Sequence, residues 1–160
     1  MHKTRNTLAK PVREKSVALL NTHLAAAIDL HAQLKQAHWN VRGPGFFAVH
    51  QLFDTVSASV EDYSDLIAER AGQLGGTAGG TIQVAVKQSA LVPYPLGIAD
   101  EASHIFAVAG ALAAFGQIIH SAIDVATKAG DTTTADLFTE ISRGIDKDLW
   151  FVESHAAPGQ

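Results

Sequence analysis

The chain of 160 residues contains no cysteine. Disulfide scaffolds, thiolate metal sites and cysteine nucleophiles are excluded together, so any metal chemistry must draw on His, Asp and Glu. Charge is scarce as well: Asp, Glu, Lys and Arg make up 18% of the residues, and the formal net charge is −4. That balance excludes a disordered acidic chain and a uniformly basic nucleic-acid binder as descriptions of the whole protein. A third lack is a long apolar run. The nearest is the Ala-rich segment from Ile105 to Ile119, shorter than the roughly 18 uninterrupted apolar residues of a membrane span. Residues Met1 to Lys15 are polar and hold no apolar stretch of signal-peptide length, so the expectation is a soluble, cytoplasmic protein without membrane contact. What the sequence does have is apolar content, at 47% of residues, enough at this length for one domain with a sizeable core.

The charge is unevenly placed. In residues 1–15, Lys3, Arg5, Lys10, Arg13 and Lys15 stand against the single Glu14, giving that stretch +4 and leaving −8 on the rest. With Pro11 inside it and no apolar period, 1–15 reads as a flexible basic arm and 16–160 as the folded domain.

From Ser16 onward the pattern is helical. Leu20, Leu24, Ala27, His31, Leu34 and His38 recur at steps of three and four, the stripe of an amphipathic helix packed against others. Arg42-Gly43-Pro44-Gly45 must end it, because Gly terminates helices and Pro clashes with a continuing turn. A second helix is expected from Phe46 to Leu74, with Phe53, Val56, Val60, Ile67 and Leu74 inward, closing at Gly75-Gly76. Thr77 to Gly97 is too long for a tight connection and reads as a crossover with a short helix near Val84 to Gln88. A third helix fits Asp100 to Ala129, with Asp100 or Ser103 near its start and Gly130 past its end. A fourth fits Thr133 to His155. Two helical hairpins joined by one long crossover make an all-α, ferritin-like four-helix bundle.

Chemistry concentrates on the second helix. His50, Asp54, Asp65 and Glu69 are spaced 4, 11 and 4 residues apart, and an 11-residue step returns to within about 20° of its starting direction, so all four lie on one stripe. Glu61 and Asp62 add further negative charge to a helix with little Lys or Arg nearby, and a cation would relieve the repulsion. Asp54 and Asp65 stand about 16 Å apart along the axis, too far to share one metal ion within a chain. His38 and His50 flank the Gly-Pro turn at similar distances, so His38, His50 and Asp54 form half a site. A two-fold antiparallel copy would set its Asp65 and Glu69 opposite that half, placing the site at a dimer interface. Oxygen and nitrogen donors without sulfur suit Fe(II), and Zn or Mn as well.

These residues resemble the Dps family, the mini-ferritins named as DNA-binding proteins from starved cells. His38-Trp39-Asn40-Val41-Arg42-Gly43, followed by Val49-His50 and Asp54, is similar to its first signature. Asp65-Leu66-Ile67-Ala68-Glu69-Arg70 with Gln73-Leu74-Gly75-Gly76 is similar to its second. Tyr94-Pro95-Leu96 and Leu149-Trp150-Phe151-Val152-Glu153 extend the likeness over about residues 16–155. The resemblance implies a hollow homododecamer whose ferroxidase centres bind iron through His38, His50 and Asp54 of one subunit and Asp65 and Glu69 of the next. It implies oxidation of Fe(II), with hydrogen peroxide preferred to dioxygen, and storage of Fe(III) as a mineral that spares the cell and its DNA from oxidative damage. It further implies Trp39 as a radical trap, against a plain core aromatic, and Asp131, Asp136 and Glu140 as the lining of pores by which iron enters, against simple stabilisation of a helix start.

The alternative function is a nucleoid DNA-compacting protein acting through the arm. Lys3, Arg5, Lys10, Arg13 and Lys15, repeated over a dodecamer, would hold phosphate by many weak contacts. The tail from His155 to Gln160 offers no Lys or Arg for that purpose. His31 reads as a hydrogen-bonded core histidine, Glu101-x-x-His104 as a chance match to di-iron spacing, and His23, His120 and His155 as structural or surface residues without an acidic partner at ligand spacing.

Overall fold

The computed structural model describes residues 1–156; the last four residues of the expected 16–160 domain, and with them most of the tail from His155 to Gln160, lie outside the described part. Five helices follow in order: α1 (Lys10–Asn40), α2 (Phe46–Gln73), α3 (Ile82–Gln88), α4 (Glu101–Ala129) and α5 (Thr132–Glu153). Among the described residues there is no strand, only an isolated bridge in which the Arg42 amide donates to the Ala99 carbonyl. The architecture is the expected ferritin-like bundle. α1 with α2 and α4 with α5 form two antiparallel hairpins, α1 packs on α4, α2 packs on α5, and the short α3 lies across α1.

Local signals account for most of the boundaries. Asp100 caps α4 by accepting from the Ser103 amide, and Gly130 ends it at φ 86°, a left-handed turn that glycine adopts without a Cβ clash. Thr81 caps α3 and Asp131 caps α5. All five inward positions expected on α2 are buried, as are Leu20, Leu24, Ala27 and Leu34 on α1. Phe115 and Phe138 fill the α4/α5 half of the core. His23 joins α1 to α4, its ring nitrogens lying 2.8 Å from the Leu19 carbonyl and 3.2 Å from that of Ile118.

Three expectations change. First, α1 starts at Lys10, not Ser16: Pro11 occupies its first turn, where its missing amide costs no hydrogen bond. Residues 10–15 are therefore helical, and the arm before them is docked rather than free. The His2 amide donates to the Gly75 carbonyl, and the Arg13 guanidinium donates to the carbonyls of Leu8 at 3.1 Å and Leu74 at 2.9 Å. Arg13 thus satisfies an orphan carbonyl at the C-terminal end of α2. Second, α4 is long and apolar enough, by length and composition, to cross a membrane, its best 18-residue window having a mean hydropathy of 1.6. In the bundle, Val108, Leu112, Phe115 and Ile119 use that apolarity in the core. Third, the crossover is anchored by polar groups that periodicity does not reveal: the Ser89 hydroxyl bonds Asp29, Gln33 donates to the Val92 carbonyl, and the Tyr94 hydroxyl bonds His104 Nδ1 at 2.6 Å.

Candidate metal centre

The α1/α2 hairpin brings His38, His50 and Asp54 together beside the Gly43–Gly45 turn. The two imidazoles stack with centroids 3.7 Å apart, 19° from parallel, and the Phe46 ring lies 5.0 Å from His50. Each histidine donates its Nδ1–H to the backbone carbonyl of the other, both at 2.8 Å. A carbonyl only accepts, so this reciprocal pair fixes both tautomers and leaves both Nε2 lone pairs for a Lewis acid. His38 Nδ1 lies 3.9 Å from Asp54 Oδ1.

Asp54 is already held by a residue that the pattern did not single out. The Lys35 ammonium sits 2.5 Å from Asp54 Oδ1, and that hydrogen bond keeps the carboxyl below its usual range despite some desolvation. The same hairpin register that sets His38 against His50 sets Lys35 against Asp54, so this neighbour was recoverable from the sequence. Trp39 is 67% exposed, with the Lys35 ammonium 5.9 Å from its ring centre. A buried core aromatic is therefore not its role within the chain.

Asp65 and Glu69 lie further along α2, one turn apart and both exposed. Asp65 borders a concavity of about 500 Å³ walled by Leu24, Ile28, Glu61 and Ala68. Among the described residues, no three His, Asp or Glu side chains of the chain are placed to hold one metal ion. The chain thus carries two separated halves: an imidazole pair with one carboxylate, and a carboxylate pair.

The three acids expected to line a pore divide. Asp131 is 1% exposed and forms a clasp between α2 and α5: Arg70 Nη2 donates to it at 2.9 Å, and Thr134 donates to it from its amide at 3.0 Å and its hydroxyl at 2.6 Å. Burial opposes its charge, but the Thr134 donors and the Arg70 guanidinium prevail and hold its carboxyl below the usual range. Asp131 is therefore a structural residue and not a free pore carboxylate. Asp136 and Glu140 remain exposed on α5. Other histidines resolve as well. His31 bonds Ser57 through Nδ1, and buried His104 bonds Tyr94 while Glu101 lies against the Gly43–Gly45 turn, so Glu101 and His104 serve different contacts. His120, expected as a structural or surface residue, is exposed with Asp146 of α5 at 3.8 Å, a neighbour supplied by helix packing.

Comparison with known proteins agrees with this architecture. A family model described as a ferritin-like domain matches residues 17–158. A protein of Agrobacterium fabrum named "DNA protection during starvation protein" is 44% identical over 154 residues, covering 96% of this chain and 95% of that one. Two solved structures superpose closely: Mycobacterium smegmatis Dps, at TM-score 0.92 and 28% identity, covering 100% of this chain and 98% of that one, and Microbacterium arborescens Dps in its high iron form, at TM-score 0.85 and 33% identity, covering 95% and 97%. A likeness that runs almost end to end in both sequence and fold leaves one assignment: the chain belongs to the Dps family of ferritin-like proteins.

Proposed function

We propose that the protein is a cytoplasmic ferroxidase and iron store, a hollow homododecamer that oxidises Fe(II) at centres shared between subunits and retains the Fe(III) inside. The observation that carries this reading is the reciprocal His38–His50 lock, which leaves both Nε2 lone pairs free on the hairpin that also carries Asp54, while Asp65 stands about 16 Å further along α2 from Asp54. In an antiparallel two-fold pair, the Asp65 and Glu69 of one chain complete the half-site of the other. Iron is the substrate. Incoming Fe(II) displaces the Lys35 ammonium from Asp54 and is held by nitrogen and oxygen donors of the type it favours. Carboxylates favour the more highly charged product, which assists electron loss. With hydrogen peroxide as oxidant, two Fe(II) each give up one electron, the O–O bond breaks, and two protons complete two water molecules, so no hydroxyl radical is released. Trp39, exposed beside the centre, would intercept any stray one-electron oxidant. Asp136 and Glu140 would draw cations to the pores by which iron enters.

DNA binding through the arm is the second reading. The family name supports it, and Lys3, Arg5, Lys10 and Lys15 remain exposed. The docked arm and the engagement of Arg13 weigh against it.

Sharing of the centre is tested by mixing His50→Ala and Asp65→Ala subunits, each inactive alone. After verified subunit exchange, every mixed pair regains one intact centre of two, so about a quarter of all centres recover. Peroxide-driven Fe(II) oxidation should rise to that level. No gain over either parent would rule out the shared centre.

A further inference from the structure

We infer that His31 and the Glu61 of a second copy form an additional divalent-cation subsite, placed between the two shared centres of each subunit pair. The inference rests on the two-fold arrangement proposed above. His31 repeats the arrangement of His38 and His50: its Nδ1 lies 3.1 Å from the Ser57 carbonyl and 3.2 Å from the Ser57 hydroxyl. The carbonyl can only accept, whereas the hydroxyl can give or take; in the tautomer that donates Nδ1–H to the Ser57 carbonyl, His31 presents an Nε2 lone pair, the form that binds a metal. His31 is seven residues from His38 on the same stripe, about 10 Å along the axis, and is half-buried with its ring beside α2.

The antiparallel register identifies what faces it. When Asp54 of one chain is level with Asp65 of a second copy, each step along one α2 is matched by a step back along the other. Ala58 is then level with Glu61 of the second copy. Ala58 follows Ser57, the residue that holds His31, and its small exposed side chain leaves room for an incoming carboxylate. Seen from the other chain, His31 of the second copy arrives at the concavity of about 500 Å³ bordered by Glu61, Asp62 and Asp65. An imidazole lone pair facing a carboxylate takes up either a proton or a cation between them, and the neighbouring Asp62 and Asp65 carboxylates on the same concavity favour the doubly charged ion. Such a subsite lies about one to two turns of helix from the principal centre and would feed or buffer Fe(II) for it.

Co(II) is the probe, loaded anaerobically into assembled cages of wild type, His31→Gln, Glu61→Gln and Asp65→Asn, each checked for size by light scattering. Bound Co(II) per chain is counted after equilibrium dialysis, and its visible absorbance is recorded. The expected result is the loss of one Co(II) per chain in both His31→Gln and Glu61→Gln, with the absorbance of the principal centre retained. Asp65→Asn should instead lose the principal absorbance and keep the subsite. Glu61 is exposed, so Glu61→Gln carries the test if the half-buried His31 variant fails to fold. An unchanged Co(II) count in Glu61→Gln overturns the subsite, as does a loss confined to His31→Gln. An unaltered principal signal in Asp65→Asn overturns the shared centre instead.

Discussion

Asp148 carries a carboxyl where the core has little to offer it. It is buried on α5, and burial raises it to about 6, against the hydrogen bond from the Tyr63 hydroxyl at 3.4 Å and the charge of Lys147. Tyr63 is pushed up to about 12 by burial and by the charge of Asp148. The two approach only because residue 144 is glycine: a Cβ there would overlap the Tyr63 hydroxyl. With a folded value above the ordinary 3.8, the folded state holds this proton more tightly than the unfolded chain. Its stabilising contribution is complete below about pH 4 and is lost as pH rises through about 6, a swing of about 3 kcal/mol. Asp148→Asn should therefore raise the urea midpoint at pH 7 and remove the wild type's decline between pH 4 and 6. A wild-type-minus-variant difference that is flat with pH would show that the carboxyl titrates like an exposed acid.

Among elements, the clasp between the end of α2 and the start of α5 matters most. Arg70 is 7% exposed, and its guanidinium is shared between Asp131 and Thr134 Oγ1, so one charged group ties two helices that otherwise touch sparingly. Arg70→Ala leaves the buried Asp131 carboxylate without its counter-charge, held only by the Thr134 donors, a loss of up to about 3–5 kcal/mol, which thermal unfolding would register as a large drop in Tm. Asp131→Asn, which keeps acceptor and cap, should cost distinctly less. Equal losses from both would mean that the charge pair, which both variants break, holds the junction, and that the acceptor and cap kept by Asn add nothing to it.

For the whole molecule, the question is whether the arm reaches DNA. The body beyond residue 15 carries −8 and repels phosphate, so the exposed Lys3, Arg5, Lys10 and Lys15 are the available electrostatic anchor. The arm begins to fold at Lys10, so the informative truncation removes residues 1–9. Intact cages should retard DNA in a gel at roughly 50 mM salt and release it by roughly 200 mM, without sequence preference, because backbone contacts carry no base information. Truncated cages lose Lys3 and Arg5 but keep Lys10 and Lys15, so they should retard DNA more weakly at the lower salt and release it earlier. Binding undiminished by truncation would place the contact on the bundle surface.

The sequence by itself determined the bundle and the identity of the candidate ligands. Apolar stripes at steps of three and four, the turn at Gly43–Gly45, the cap at Asp100 and the glycine at 130 act within a few residues, where spacing along the chain equals spacing in space. The same locality made the separation of Asp54 from Asp65 legible, since both ride one rigid helix. Tertiary structure alone decided the pairings between helices. That Asp131 answers Arg70, that Tyr63 meets Asp148, and that Arg13 closes the end of α2 depends on which helix faces meet and at what height. Those contacts join residues 61 or more positions apart, and no local period carries them. Lys35 on Asp54 stands between the two cases: the register of one short hairpin fixes it, so the sequence held it, but only the packed pair of helices shows the ammonium seated on the carboxylate.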